Sequence, residues 1–119
     1  MKALSVVLVG GLLLCPLLLS AKRGAPPKVE AVVYEGIRYT APNDNGQVVS
    51  IEAYDAASGK KLWAKEIFRN KIDPSLEADV QWVFIKALVV RNGNLLIINE
   101  KDRKYVLDLK SLSVKSITA

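Results

Sequence analysis

The sequence predicts an all-β fold in which two antiparallel four-stranded units pack as a small sandwich or partial barrel. Three observations predict it. From Val29 onward apolar and polar residues alternate, as in Gln47–Tyr54, and a period of two is typical of half-buried strands. Asn92-Gly93 stands between two apolar runs, which is a strong hairpin signal. Only a short stretch at Pro74 favours a helix.

Residues 1–21 are predicted to be a signal peptide. Lys2 precedes an uncharged apolar segment, Pro16 would weaken a long helix there, and small residues at the end provide a cleavage point. A retained membrane anchor is the alternative, because the segment is just long enough to cross a hydrocarbon core. Lipidation at Cys15 is disfavoured by the three leucines before it. The Pro-rich and cationic residues 22–28 predict an extended linker.

The composition of the remaining domain, residues 29–119, excludes several classes of function. The chain has no histidine, and its single cysteine lies in the predicted signal peptide. The domain therefore lacks a thiol nucleophile, a thiolate metal ligand and the commonest general base. We expect that it is not an enzyme and that it binds no cofactor. The cations that follow the predicted signal peptide are scattered from Lys22 to Lys115 without a run longer than two. This scatter argues against nucleic acid as a partner.

The first predicted unit contains four strands separated by turn residues. These strands are Val29–Glu35, Ile37–Ala41, Gln47–Tyr54 and Lys61–Phe68. The loop at 42–46 contains Asn43, Asp44 and Asn45, which offer oxygen ligands but lack the spacing of an EF-hand. We therefore interpret it as an ordinary turn.

The second predicted unit follows an irregular segment, residues 69–79, with one helical turn through Ser75–Glu77. The pair Glu77 and Asp79 in this segment is interpreted as part of a solvated loop. The predicted strands are Val80–Val90, Leu95–Ile98, Arg103–Leu109 and Leu112–Ile117. Because Val80–Val90 is apolar on both faces, it is expected at the centre of a sheet covered on both sides.

The two units repeat one pattern, in which Gly36 recurs as Gly93 and Asp55 as Asp108. The first unit also carries a turn motif with five fixed positions, namely Ala53, Asp55, Ser58, Gly59 and Trp63. This motif resembles the repeat of quinoprotein-type (PQQ-like) β-propellers. In the second unit Asp108 and Ser111 remain, but Leu112 stands at the glycine position and Ser116 at the tryptophan position.

The resemblance implies about two non-catalytic propeller blades. Complete propellers have about four to eight blades, and the quinone and calcium site of the dehydrogenases is built from many of them. The repeat also occurs in non-enzymatic relatives, where it serves as a binding scaffold. The alternative is a subunit or remnant of a quinone-dependent dehydrogenase, which would have to assemble into a closed ring.

The predicted function is that of an exported non-catalytic β-domain, periplasmic or secreted, which binds a protein or a cell-envelope component through a sheet face or edge. The candidate interaction surface consists of Arg38, Tyr39, Trp82, Phe84 and Lys86, because clustered exposed aromatic residues mark binding sites. The competing interpretation is that Trp82 and Phe84 are core residues. A membrane-anchored structural envelope protein and a homo-oligomer are the remaining alternatives.

Overall fold

The fold is all-β, as the alternating sequence predicts. The computed structural model describes residues 23–117, so the predicted signal peptide and Cys15 lie outside the described residues. The strands are β1 (Val32–Tyr34), β2 (Ile37–Thr40), β3 (Val48–Asp55), β4 (Lys61–Arg69), β5 (Ile85–Arg91), β6 (Asn94–Asn99), β7 (Lys104–Leu107) and β8 (Val114–Ile117). They form two antiparallel sheets in the orders β1-β2-β3-β4 and β5-β6-β7-β8, and the sheets do not close into a barrel.

The core lies between the two sheets. Alternate residues of β3 are buried, among them Ile51 and Ala53, which belong to the same cluster as Leu95 and Ile97 of β6. All four side chains are fully buried. Because one face of each sheet supplies this cluster, the two units form a single two-layer domain.

Tight turns open both units. Glu35-Gly36 joins β1 to β2, and Asn92-Gly93 joins β5 to β6. All four residues have positive φ, between 50° and 79°. Two consecutive left-handed residues form the hairpin turn whose twist matches that of the flanking strands. The hairpin predicted at Asn92-Gly93 is therefore confirmed.

The predicted central strand Val80–Val90 is wrong in extent and position. β5 begins at Ile85 and lies at the edge of its sheet, and Asp79–Gln81 forms a short 3-10 helix instead. The chain before Ile85 pairs with side chains and not with a neighbouring strand, since the Phe84 amide donates to the Glu100 carboxylate at 2.9 Å. Side-chain partners from distant segments therefore determine where this strand starts.

The helical turn predicted at Ser75–Glu77 is also displaced. The Asp73 carboxylate accepts hydrogen bonds from the Ser75 amide at 2.9 Å and the Ser75 hydroxyl at 2.7 Å. An aspartate that binds the backbone two residues later forms a local turn that competes with helix formation. The 3-10 helix therefore forms after this turn, at Asp79–Gln81.

Candidate functional site

The predicted turn motif of the first unit is a structural element. The Asp55 carboxylate accepts hydrogen bonds from the amides of Ala57 and Ser58 at 2.9 and 3.3 Å. The Gly59 amide donates to the Asp55 carbonyl at 2.8 Å, and the Ser58 hydroxyl accepts from the Lys60 amide at 3.2 Å. Gly59 has a φ of 78°, the left-handed conformation that closes the turn.

The second unit builds the same turn despite its different sequence. The Asp108 carboxylate accepts from the amides of Lys110 and Ser111 at 2.8 and 3.0 Å, and the Leu112 amide donates to the Asp108 carbonyl at 2.7 Å. The Ser111 hydroxyl accepts from the Ser113 amide at 3.2 Å. Leu112 adopts a φ of 64°, although it is not glycine. The two units are therefore an internal structural repeat.

Trp63 and Ala53 of the motif lie on the core side of the first sheet. The two residues are paired across β3 and β4, and Ala53 is also paired with Tyr39 of β2. The rings of Trp63 and Tyr39 are 5.9 Å apart, and burial is the main cause that raises the pKa of Tyr39. This row of side chains faces the second unit, so the motif residues hold the two sheets together.

The structure does not bring the five residues of the candidate surface together. Tyr39 is 3% exposed and Phe84 is 2% exposed, so neither is available to a partner. Arg38 lies over the Tyr54 ring, at 5.0 Å from its centroid, on the outer side of the first sheet. Trp82 is half-buried against Phe84, and exposed Lys86 pairs with Asp102.

Phe84 instead belongs to a site that fixes the N-terminal segment. The Arg23 guanidinium lies 4.7 Å from the Phe84 ring centroid and donates to both oxygens of Glu100, at 3.0 and 2.9 Å. It also donates to the Trp82 carbonyl at 2.7 Å. The hydrogen bond from Arg23 is the main cause that lowers the pKa of Glu100, and the Phe84 amide lowers it further. The beginning of the predicted linker is therefore docked on the domain.

Asn43, from the loop interpreted as an ordinary turn, bridges the two units. Its amide nitrogen donates to the carbonyls of Ile85 and Pro27 at 2.9 and 3.1 Å, and its oxygen accepts from the Ile85 amide at 3.2 Å. This side chain therefore occupies the place of a neighbouring strand at the start of β5.

The outer face of the second sheet, the side away from the core, is apolar at its centre. The strand register places Val89, Leu96 and Val106 in one row. None of them belongs to the core cluster, whereas their chain neighbours Leu95 and Leu107 do, and Val90 packs against it. We call this the outer patch, and its members are Ala87, Val89, Leu96, Ile98, Val106 and Ile117, with Lys104 and Lys115 among them.

The corresponding outer face of the first sheet is polar. Its Tyr54 hydroxyl donates to Glu52 at 2.7 Å, and Lys61 pairs with the same carboxylate at 3.1 Å. The hydrogen bond from Tyr54 is the main cause that lowers the pKa of Glu52. Such a face is typical of an antiparallel sheet with one side in water. The outer patch departs from this rule.

The sheet edges formed by β4 and β8 offer less to a partner than the outer patch does. β4 carries Lys61, Lys65 and Arg69, and its pairing with β3 is interrupted by two bulge-like shifts. β8 has only four residues and carries Lys115. Charges, bulges and short strands all hinder the addition of another strand at an edge.

A second feature is a cavity of about 270 Å³ near the end of β4, which we call the end cavity. Four cations line it, from the end of β4 and the turn between β6 and β7: Arg69, Lys71, Lys101 and Arg103. Asn99 also lines it, and its oxygen accepts hydrogen bonds from the amides of Lys101 and Arg103 at 2.9 and 3.0 Å. These residues are far apart along the chain, so the sequence alone does not show that they line one cavity.

Within residues 23–117 no group of three or more His, Cys, Asp or Glu side chains is placed to hold a metal ion. The same residues contain no helix that is long and apolar enough to span a membrane. A comparison with protein-family models finds no match for this chain, and a comparison with curated proteins finds no significantly similar sequence. The resemblance to PQQ-like repeats therefore stays a prediction.

Proposed function

We propose that this chain is an exported, non-catalytic β-domain that binds a partner protein through the outer patch. The observation that carries the proposal is the contrast between the two outer faces, one polar and one apolar. Val89 and Ile117, on the two edge strands of the patch, are each 42% exposed, whereas Leu96 between them is 7% exposed. An apolar sheet face in contact with water is unfavourable, and such faces commonly mark protein-binding surfaces.

The internal repeat indicates what kind of partner fits. In the first unit the row Val32, Tyr39, Ala53 and Trp63 packs against the second unit. When Gly36 is aligned with Gly93 and Asp55 with Asp108, the equivalent row of the second unit begins with Val89, Leu96 and Val106. The outer patch is therefore the equivalent of a surface that already binds a β-sheet. A sheet face of the partner, apolar at its centre, fits it best.

The charges of the patch refine this description. Lys104 and Lys115 lie beside the apolar row, and neither forms a salt bridge with any of residues 23–117. A partner with acidic residues around its apolar centre would complement them. A second copy added head to tail would present the first sheet's outer face, where Arg38, Glu52 and Lys61 lie. That polar face complements the patch poorly, so we favour a different protein.

The proposal is tested by photo-crosslinking in the exported full-length chain. A photoreactive residue replaces Val89 in one variant and Val33 in the control. Val33 is 61% exposed and lies on the polar outer face of the first sheet. A photoreactive residue at position 33 is therefore as accessible as one at position 89, but it lies outside the outer patch. We expect one defined adduct from position 89 and none from position 33. Equal labelling from both positions, or from neither, would contradict the proposal.

Binding is then measured with the purified partner by titration calorimetry. The double variant Val89→Lys/Ile117→Lys should bind at least about tenfold more weakly, since each residue loses roughly 1 kcal/mol of apolar burial or more. The variant Val33→Lys should bind as the wild type does. An adduct between two identical chains would instead identify a second copy as the occupant.

A further inference from the structure

The end cavity concentrates positive charge that the described residues do not neutralise. Arg69 pairs with Glu66 at 3.0 Å, but Lys71, Lys101 and Arg103 form no salt bridge with any of residues 23–117. Both acidic residues of the adjacent turn are paired with cations outside the cavity, Glu100 with Arg23 and Asp102 with Lys86. Three cations around one concave site repel one another and attract an anion from solution.

The turn that carries two of these cations is held rigidly. The Asn99 side-chain oxygen accepts hydrogen bonds from the backbone amides of Lys101 and Arg103. The backbone amide of Asn99 donates to the Arg103 carbonyl at 3.0 Å. The Asp102 amide also donates to the Asn99 carbonyl at 2.9 Å. Lys101 and Arg103 are therefore presented from a fixed backbone, so less conformational entropy is lost when a ligand binds.

Asn99 itself offers a donor to the cavity. Its side chain is buried, with 3% exposure, and its oxygen is committed to the turn. Its side-chain nitrogen, Nδ2, makes no hydrogen bond with any of residues 23–117. Buried polar groups almost always have a partner, so this nitrogen lacks an acceptor that a ligand in the cavity would supply.

We propose that the end cavity binds a small tetrahedral oxyanion, a phosphate or sulfate group. Such a group has several acceptor oxygens, which matches donors arriving from β4, from the turn and from Asn99. Arginine and lysine beside a neutral amide donor are typical ligands of these anions. The cavity of about 270 Å³ accommodates the anion with a small substituent. This inference is independent of the outer patch.

The test is calorimetric titration of the full-length exported chain with inorganic phosphate at low ionic strength. The variant Lys101→Gln/Arg103→Gln removes two cations of the cavity. The control Lys60→Gln/Lys110→Gln removes two exposed cations from the repeated turns, so both variants have the same net charge. We expect at least about tenfold weaker phosphate binding in the first variant, because it loses two donors of charge-assisted hydrogen bonds. The control should bind as the wild type does.

The variant Asn99→Asp gives a second measurement. It keeps the oxygen that accepts the two turn amides, but it replaces the donor nitrogen by a second acceptor and adds a negative charge. We expect it to fold and to lose phosphate binding. Absence of phosphate binding to the wild type would overturn the proposal, and so would equal weakening by the control variant.

The source of the anion is distinguished with vesicles of phosphatidylcholine, with and without phosphatidic acid. Binding only to vesicles with phosphatidic acid, lost in Lys101→Gln/Arg103→Gln, would identify a lipid headgroup. Phosphate binding without vesicle binding would identify a soluble phosphate group. Either result supports the site, whereas vesicle binding that all variants retain contradicts it.

Discussion

Replacement of Asn43 should destabilise the domain more than any change at an exposed residue of the same loop. Asn43 is 7% exposed and makes three hydrogen bonds, two of them to the backbone of Ile85 at the start of β5. In Asn43→Ala the amide and carbonyl of Ile85 lose these partners in a buried place. The result should be loss of the bridge between the first unit and the second sheet.

The expected magnitude follows from the number of bonds and from the backbone. Three hydrogen bonds at about 1 kcal/mol each give a loss of about 3 kcal/mol. Asn43 also has a φ of 51°, and alanine in the left-handed region adds about 1 kcal/mol. Asn43→Gly separates these causes, because glycine removes the side chain but tolerates positive φ. We therefore expect losses of about 3 kcal/mol for Asn43→Gly and about 4 kcal/mol for Asn43→Ala.

The assay is urea unfolding followed by tryptophan fluorescence, with Tm from calorimetry as a second measurement. In Asn43→Ala, Tm should fall by more than about 15 °C, since 1 kcal/mol shifts Tm by about 4–8 °C in a domain of this size. The control is Asn45→Ala. Asn45 is exposed and accepts two loop amides at 2.9 Å, so water replaces it and the loss should stay below about 1 kcal/mol. An Asn43→Gly variant as stable as Asn45→Ala would refute the reasoning.

Three further predictions concern single positions. Gly46→Ala should lower the free energy of unfolding by more than about 2 kcal/mol and change the fluorescence of Trp82, because a Cβ atom at position 46 would overlap the indole ring. An unchanged urea midpoint would contradict this prediction. Gly59→Ala should lower the free energy of unfolding by about 1 kcal/mol, because Gly59 has a φ of 78°. Gly24→Ala should leave it unchanged, because a Cβ atom at position 24 would meet no neighbouring atom. Glu100→Gln tests the lowered pKa of Glu100, whose ionised form stabilises the fold above about pH 4.3. The stability deficit of this variant relative to the wild type at pH 7 should shrink as the pH falls through that lowered pKa, measured as urea midpoints at a series of pH values downward from 7.

Local patterns predicted most of the fold. Alternation identified the buried row of β3, and Asn92-Gly93 identified a hairpin, because both features depend only on neighbouring residues. The start of β5 could not be predicted in this way. Asn43 lies 42 residues before Ile85, and Glu100 lies 16 residues after Phe84, so the strand boundary depends on tertiary contacts.

The candidate surface was harder to predict, because residue type alone does not tell which face of a strand is exposed. The sequence marked Trp82 and Phe84 as aromatic, but Phe84 is covered by Arg23 of the N-terminal segment. The signal for the outer patch was present in β5, which is apolar on both faces. Such a strand is typical of the centre of a covered sheet, and the pairing order that places β5 at an edge cannot be deduced from one strand.

The two units share their turns but differ in their outer faces, and this difference carries the proposed function. The turns depend on local hydrogen bonds to Asp55 and Asp108, so Leu112 can replace glycine at some cost in backbone strain. A sheet face has no such local requirement, because its residues need only a covering surface or water. The first unit ends in a polar face that needs no cover, whereas the second ends in the outer patch. The outer patch of the second unit is equivalent to the inner face by which the first unit packs against a sheet. The same packing chemistry therefore favours the sheet of a partner as the structure that covers the outer patch.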